Sequence, residues 1–228
     1  MDWSDVQLGA VPRGNGTTSF AVWAPAARRV ELELRGERCA LELLDHGMAI
    51  AELAADPGDD YRYVLDGGAV LPDPCSRFQP EGIRGPSRIV DTGAFEIAPF
   101  DGVPLEELVL YEVHVGAFSE EGTFDGVIPH LAGLRELGVT AIELMPVATF
   151  PGNHGWGYDG VYTFAPHPAY GGPAGLARLV DAAHREGLGV FLDVVYNHIG
   201  PGSEAVGAFG PYFTDRHETF WGAAIDYS

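Results

Sequence analysis

GVFLDVVYNH, residues 189–198, decides how the second half of this chain folds. Five of its first seven residues are large and apolar, a block short enough for a buried strand. Asp193 interrupts that block, and Asn197 and His198 follow it. A carboxylate is expensive to bury unless it is paired or hydrogen-bonded, so its position in the block needs a reason.

Upstream, LVLYEVHVGAF (108–118) and VTAIELMPV (139–147) read as two further buried strands. Between them Thr123 and Asp125 offer N-caps for a helix running through Leu137, with Pro129 near its first turn and Gly138 as its stop. Ile128, Leu131, Leu134 and Leu137 give that helix one apolar face. A second helix opens at Pro173, spaces Leu176, Leu179, Val180 and Ala183 as i, i+3, i+4, i+7, and stops at Gly187. Strand, helix, strand, loop, helix, strand in that order predicts parallel strands covered by helices. Ligands in such folds gather at the carboxyl ends of strands, where Asp193, Asn197 and His198 fall. A brace for the following loop accounts for Asp193 about equally well on this stretch alone.

The loop ATFPGNHGWGYDGVYTFAPHPAYGGP (148–173) is too long for an ordinary connection, and it carries six aromatic rings: Phe150, Trp156, Tyr158, Tyr162, Phe164 and Tyr170. Flat rings pack on the apolar face of a sugar while nearby Asp, Asn and His groups bond its hydroxyls, so this grouping suits a carbohydrate cleft. For most of the six, anchoring the loop is the simpler role. Tyr158, hemmed by Gly155, Gly157 and Gly160, is the ring expected to face ligand. His154, His167 and Asp159 match no compact metal-binding spacing, and no metal or other cofactor is expected. Asn197 is the one side chain singled out as able to ligate a hard cation, through its amide oxygen.

Residues 1–95 follow a different grammar. SFAVWAP (19–25), VELEL (30–34), ALELL (40–44) and YRYVL (61–65) are short segments, several of them alternating, separated by turn signals at Arg13-Gly14-Asn15-Gly16, Asp56-Pro57-Gly58 and Asp66-Gly67-Gly68. They predict a small antiparallel sandwich. An irregular Pro- and Gly-rich run (71–91) follows, and residues 96–107 make the linker to the α/β part, 108–228.

Composition removes several functions. The formal net charge of −20 repels nucleic acid and anionic lipid but not a neutral sugar. All basic residues are Arg, so a phosphate-binding P-loop, which needs Lys, is excluded. No apolar run reaches the roughly 20 residues of a membrane helix, and the acidic N-terminus lacks the pattern of a signal peptide. Cys39 and Cys75 have no metal-like spacing and a disulfide framework is not expected. Together these features lead to an expectation of a cytoplasmic protein.

DVVYNH (193–198) resembles the first signature region of the α-amylase superfamily of glycoside hydrolases, in which Asp, Asn and His are spaced as here. HGWGYDGVYTFAPHPAYGGP, ELMPV and LYEVHVGAF are similar to pieces of its glycogen-active branch, whose members branch glucans, debranch them, or release trehalose from maltooligosyltrehalose. DPCSRFQPEGIRGPSRIVD, YEVHVGAFSEEGTF and YFTDRHETFWGAAIDYS resemble the trehalose-releasing members most. The resemblance implies an immunoglobulin-like sandwich over 1–95 followed by the first three β/α units of an incomplete (β/α)8 TIM barrel. It implies a retaining glycosidase that hydrolyses an α-1,4 bond with a carboxylate nucleophile and a carboxylic acid/base about 5 Å apart. By the same resemblance Asp193 and His198 bond hydroxyls of the sugar at the cleavage point, Tyr158 stacks on it, and Asn197 braces the loop or ligates calcium in relatives that bind it.

In that family the nucleophile, the acid/base and a third carboxylate come from strands four, five and seven, beyond Ser228, and neither Glu143 nor Asp193 takes those roles. The 228-residue chain is therefore expected to be inactive alone, and to self-associate through open barrel strands. Its expected partner is a maltooligosaccharide or α-glucan. A glucan branching or debranching enzyme is the first alternative. A non-catalytic glucan-binding module, using Trp23, Tyr61 or Tyr63 of the sandwich, is the second.

Overall fold

The protein is described by a computed structural model covering residues 6–219 and 222–227. Nine strands come first: β1 (Gly9–Pro12), β2 (Thr17–Trp23), β3 (Val30–Leu34), β4 (Glu37–Ala40), β5 (Glu42–Leu43), β6 (Met48–Ala54), β7 (Asp60–Leu65), β8 (Val70–Leu71) and β9 (Ser87–Arg88). They form two antiparallel sheets, ordered β1-β2-β6-β5 and β4-β3-β7-β8, with β9 also paired to β7. Alternation explains their common core: Phe20 and Val22 from one sheet meet Val30, Leu32, Tyr61 and Tyr63 from the other. Phe20 and Tyr61 lie edge to face at 5.2 Å, the arrangement their ring quadrupoles favour.

Two elements differ from their sequence pattern. ALELL is not one strand, because β4 ends at Ala40 and β5 begins at Glu42 in the opposite sheet; the chain crosses the core at the buried Leu41. MAIAELA, which carries no strong strand signal, is β6, paired along its whole length to β2. Cross-strand pairing outweighs the poor strand propensity of its three alanines.

The second unit has a three-stranded parallel sheet, β10 (Leu110–Val113), β11 (Ala141–Leu144) and β14 (Gly189–Leu192), in that order. LVLYEVHVGAF holds only four strand residues; after His114 the chain turns into helix α1 (Val115–Phe118). Thr123 caps α2 (Phe124–Val127) by accepting from the Gly126 amide at 3.1 Å. Pro129 lies in a 3-10 turn that separates α2 from α3 (Leu131–Glu136), so the expected single helix is three short pieces. Leu137 falls past the last turn and is 75% exposed, unlike Leu131 and Leu134, which are buried. Gly138, at φ +99°, ends the segment as expected. Helix α4 (Gly172–Arg185) buries Leu179 and Ala183 against the sheet.

The loop after β11 is ordered by a short antiparallel pair, β12 (Ala148–Thr149) with β13 (Tyr162–Pro166). Helix α5 (Glu204–Gly207) and the pair β15 (Phe213–Thr219) and β16 (Gly222–Ile225) follow β14. Several contacts tie the units together. Phe209 completes the core of the two-sheet unit, Tyr212 donates to the Trp23 carbonyl at 3.2 Å, and Tyr162 donates to the Ile83 carbonyl at 3.1 Å. Among the described residues no helix is long and apolar enough to cross a membrane.

Candidate functional site

Strand β14 ends at Leu192, one residue short of Asp193, whose amide still donates to the Leu144 carbonyl at 2.9 Å. The carboxylate is thus placed at the carboxyl end of the strand, half-buried, and not inside a buried block. Phe191, Leu192 and Val194 around it are 45–46% exposed, because no described strand pairs with the outer edge of β14. The apolar run is real, yet the expected burial is absent.

Parallel register sets Glu112, Glu143 and Phe191 side by side on one face of the sheet. The opposite face, with Val113, Ile142 and Leu144, is buried under the helices. The Tyr158 hydroxyl donates to Asp193 Oδ2 at 3.3 Å. Burial first, then the Asp193 charge and hydrogen bond, and then Glu112 and Glu143, raise the Tyr158 phenol above its ordinary value. It therefore stays a hydrogen-bond donor at any physiological pH. With Tyr158 40% exposed, the pair offers an aromatic ring beside a carboxylate acceptor.

The loop that carries Tyr158 uses its six rings in two ways. Phe150, Tyr162 and Tyr170 are buried, and Phe150 and Tyr170 pack on each other and on His167. Trp156, Tyr158 and Phe164 are exposed. His167 is a structural residue: Nδ1 accepts from the Ala169 amide at 3.0 Å and Nε2 donates toward the Phe150 and Gly152 carbonyls, while burial lowers its pKa. His154 is exposed. Among the described residues no three His, Cys, Asp or Glu side chains converge as a metal site would require.

His198 is buried and both its ring nitrogens are engaged within the protein. Nε2 lies 3.0 Å from the Tyr158 carbonyl oxygen, and Nδ1 lies 3.0 Å from the Asn197 amide nitrogen. The structure thus brings Tyr158, Asp193, Asn197 and His198 together, with His198 turned toward the loop backbone. A residue that sequence reasoning passed over joins them: His114 reaches the Gly155 carbonyl, 2.8 Å away. Its only signal was a polar residue inside an apolar run, the same signal that drew notice to Asp193.

Two further depressions flank this grouping. A cavity of about 270 Å³ beneath the strand end is lined by Pro146, Gly157, Phe164, Leu176, Asp193 and Tyr196. A wider one of about 790 Å³ lies between residues 80–84 and the loops at 116–122 and 151–154. In the two-sheet unit Tyr61 and Tyr63 are buried and Trp23 is half-buried against Tyr212, so none of these rings is laid open for a glucan.

Residues 78–209 match the family model for the alpha-amylase catalytic domain. Malto-oligosyltrehalose trehalohydrolase of Deinococcus radiodurans is 47% identical over 226 residues, an alignment covering 97% of this chain and 38% of the relative. A Salmonella typhimurium protein described provisionally as an alpha amylase superposes with a TM-score of 0.92 at 41% identity, over 97% of this chain and 38% of that one. A pullulanase from Anoxybacillus, solved with maltotetraose, superposes at 0.78 and 25% identity, over 96% of this chain and 40% of that one. The chain thus spans well under half the length of the relatives it matches.

Proposed function

This chain belongs to the α-amylase family, and from that premise we propose that it forms the N-terminal part of a malto-oligosyltrehalose trehalohydrolase. The reaction is hydrolysis of the α-1,4 bond that joins a terminal trehalose unit to a maltooligosaccharide. The observation that carries this reading is the Tyr158–Asp193 pair, a ring face beside a carboxylate at a strand end, in a chain 47% identical to a trehalohydrolase. In this reading residues 1–95 are an immunoglobulin-like sandwich, 96–107 a linker, and 108–228 the first three β/α units of a (β/α)8 barrel. A cytoplasmic setting fits the two free cysteines, Cys39 and Cys75.

The geometry supports the following division of roles. Tyr158 stacks on the sugar at the cleavage point, and Asp193 accepts from one of its hydroxyls. Both ring nitrogens of His198 are already spent, so a hydroxyl contact there requires giving up the Tyr158 carbonyl or Asn197. We therefore give His198 a holding role first and a sugar contact second. Asn197, whose amide nitrogen faces His198, keeps its oxygen for the loop or for a cation. The nucleophile and acid/base of a retaining mechanism come from residues that follow Ser228 in the complete enzyme.

The test is product analysis of the complete polypeptide with maltooligosyltrehalose. Free trehalose is expected, with Tyr158→Ala and Asp193→Asn each lowering kcat/KM by about 100-fold, the scale of two lost transition-state contacts. New α-1,6 branches, or linear chains cut from branched glucan, would replace this reading with a branching or debranching one. The 228-residue chain by itself is expected to release no trehalose.

A further inference from the structure

The turn Gly155–Tyr158 is pinned at both ends by imidazoles that arrive from different strands. His114, directly after β10, sets Nε2 2.8 Å from the Gly155 carbonyl oxygen. His198, six residues after β14, sets Nε2 3.0 Å from the Tyr158 carbonyl oxygen. A carbonyl only accepts, so each ring must carry a proton on Nε2. For His198 the other nitrogen is satisfied by the Asn197 amide. For His114 it is not: Nδ1 is buried with no partner among the described residues. The contact to Gly155 is thus kept on a ring whose other nitrogen is among the few buried polar atoms left unpaired by the described residues, and such an exception calls for a reason.

The turn needs outside support. Among the described residues the Gly155 and Tyr158 carbonyls accept from no backbone amide, and the backbone turn at 158–159 leaves Gly155 and Trp156 unsupported. Gly157 sits at φ +93° with the Pro146 carbonyl pressed against the place a Cβ would take. Between the two pins Trp156 is 81% exposed, and Tyr158 follows it with its hydroxyl on Asp193.

We propose that His114 is a positioning residue for saccharide binding: with His198 it fixes both ends of the turn, and so sets the Tyr158 ring over the sugar. This rests on the reading of Tyr158 as sugar-facing. His114 touches no substrate in this scheme and acts through the Gly155 carbonyl.

Two measurements test it. In this chain, ¹⁵N relaxation of the Trp156 and Gly157 amides reports the turn without any saccharide. His114→Leu and His114→Asn should loosen both amides, and His114→Gln, whose side-chain amide reaches where Nε2 does, should restore them. In the complete enzyme the first two variants should raise KM for maltooligosyltrehalose about tenfold, the equivalent of one lost hydrogen bond. Their kcat should change less than threefold, and His114→Gln should stay near native. If His114→Leu fails to fold, the Asn and Gln pair carries the comparison. Unchanged amide order in His114→Asn would overturn the proposal. So would a normal KM in that variant while Tyr158→Ala raises KM. A normal KM in Tyr158→Ala as well would instead remove the sugar-facing role of Tyr158, and the proposal with it.

Discussion

The Tyr61 hydroxyl donates a 2.6 Å hydrogen bond to Asp73 Oδ2, and neither residue is reached by solvent. Asp73 Oδ1 accepts from the Cys75 amide at 2.7 Å, and the Asp73 amide donates to Ser87 at 2.9 Å. One residue thus fastens β7 and the irregular segment between β8 and β9 through its carboxylate, and β9 through its backbone amide, in the segment that leads toward the parallel sheet.

Burial pushes Asp73 up to about 6, against the hydrogen bonds from Tyr61 and Cys75 and the charge of Arg77. A carboxyl whose folded pKa exceeds its unfolded value binds protons preferentially in the folded state. Its contribution is full below about pH 4 and is lost as pH rises through about 6. The size is on the order of 3 kcal/mol at most. Asp73→Asn should therefore abolish this part of the pH dependence. Subtracting its urea-unfolding free energies from those of the native chain should leave a slope confined to pH 4–6, falling toward neutral pH. A flat difference would place the carboxyl at an ordinary pKa.

Gly157 and Gly138 share a left-handed backbone, at φ +93° and +99°, but not their surroundings. A Cβ at Gly138 meets nothing within 4 Å, whereas one at Gly157 runs into the Pro146 carbonyl. Gly138→Ala should cost only the dihedral strain, about 1 to 2 kcal/mol. Gly157→Ala adds a collision that the turn must move to relieve. Thermal melts should rank the two mildly, while saccharide binding by the complete enzyme should suffer only in Gly157→Ala.

Strands β10 and β14 are the edges of the parallel sheet, and Leu110, Tyr111, Phe191 and Leu192 on them are 38–46% exposed. Unpaired edges with apolar side chains recruit other chains. Sedimentation of the 228-residue chain should show association that grows with concentration, and Phe191→Lys with Leu192→Lys should shift it toward monomer. A native chain that stays monomeric up to high concentration would contradict this.

How far the sequence reaches depends on what fixes each element. VELEL is β3 residue for residue, because alternation and the Arg35-Gly36 turn act locally. Helix α4 follows from its spacing of Leu179 and Ala183 and from the breaker at Gly187. β6 was illegible because its strand state comes from β2, a non-local partner. The exposure of Leu110 and Phe191 is not legible for a related reason: an apolar run marks a face that is meant to be covered, and cannot say by what. At the site, Tyr158 stood out through its glycines, and Asp193 through its cost of burial. His114 was passed over, since its work is done on a carbonyl, which has no letter in a sequence.

Phe209 has a consequence in time. It is fully buried in the core of the two-sheet unit, yet it is made about 120 residues after β9, the last strand of that unit. At ribosomal speeds of roughly 5–20 residues per second, the nascent sandwich waits on the order of ten seconds for its final ring. During that wait Tyr63, which Phe209 meets edge to face at 5.9 Å, lacks its neighbour. The first unit to emerge is thus among the last to be sealed, and its closure doubles as a check that the strands in between have been laid down.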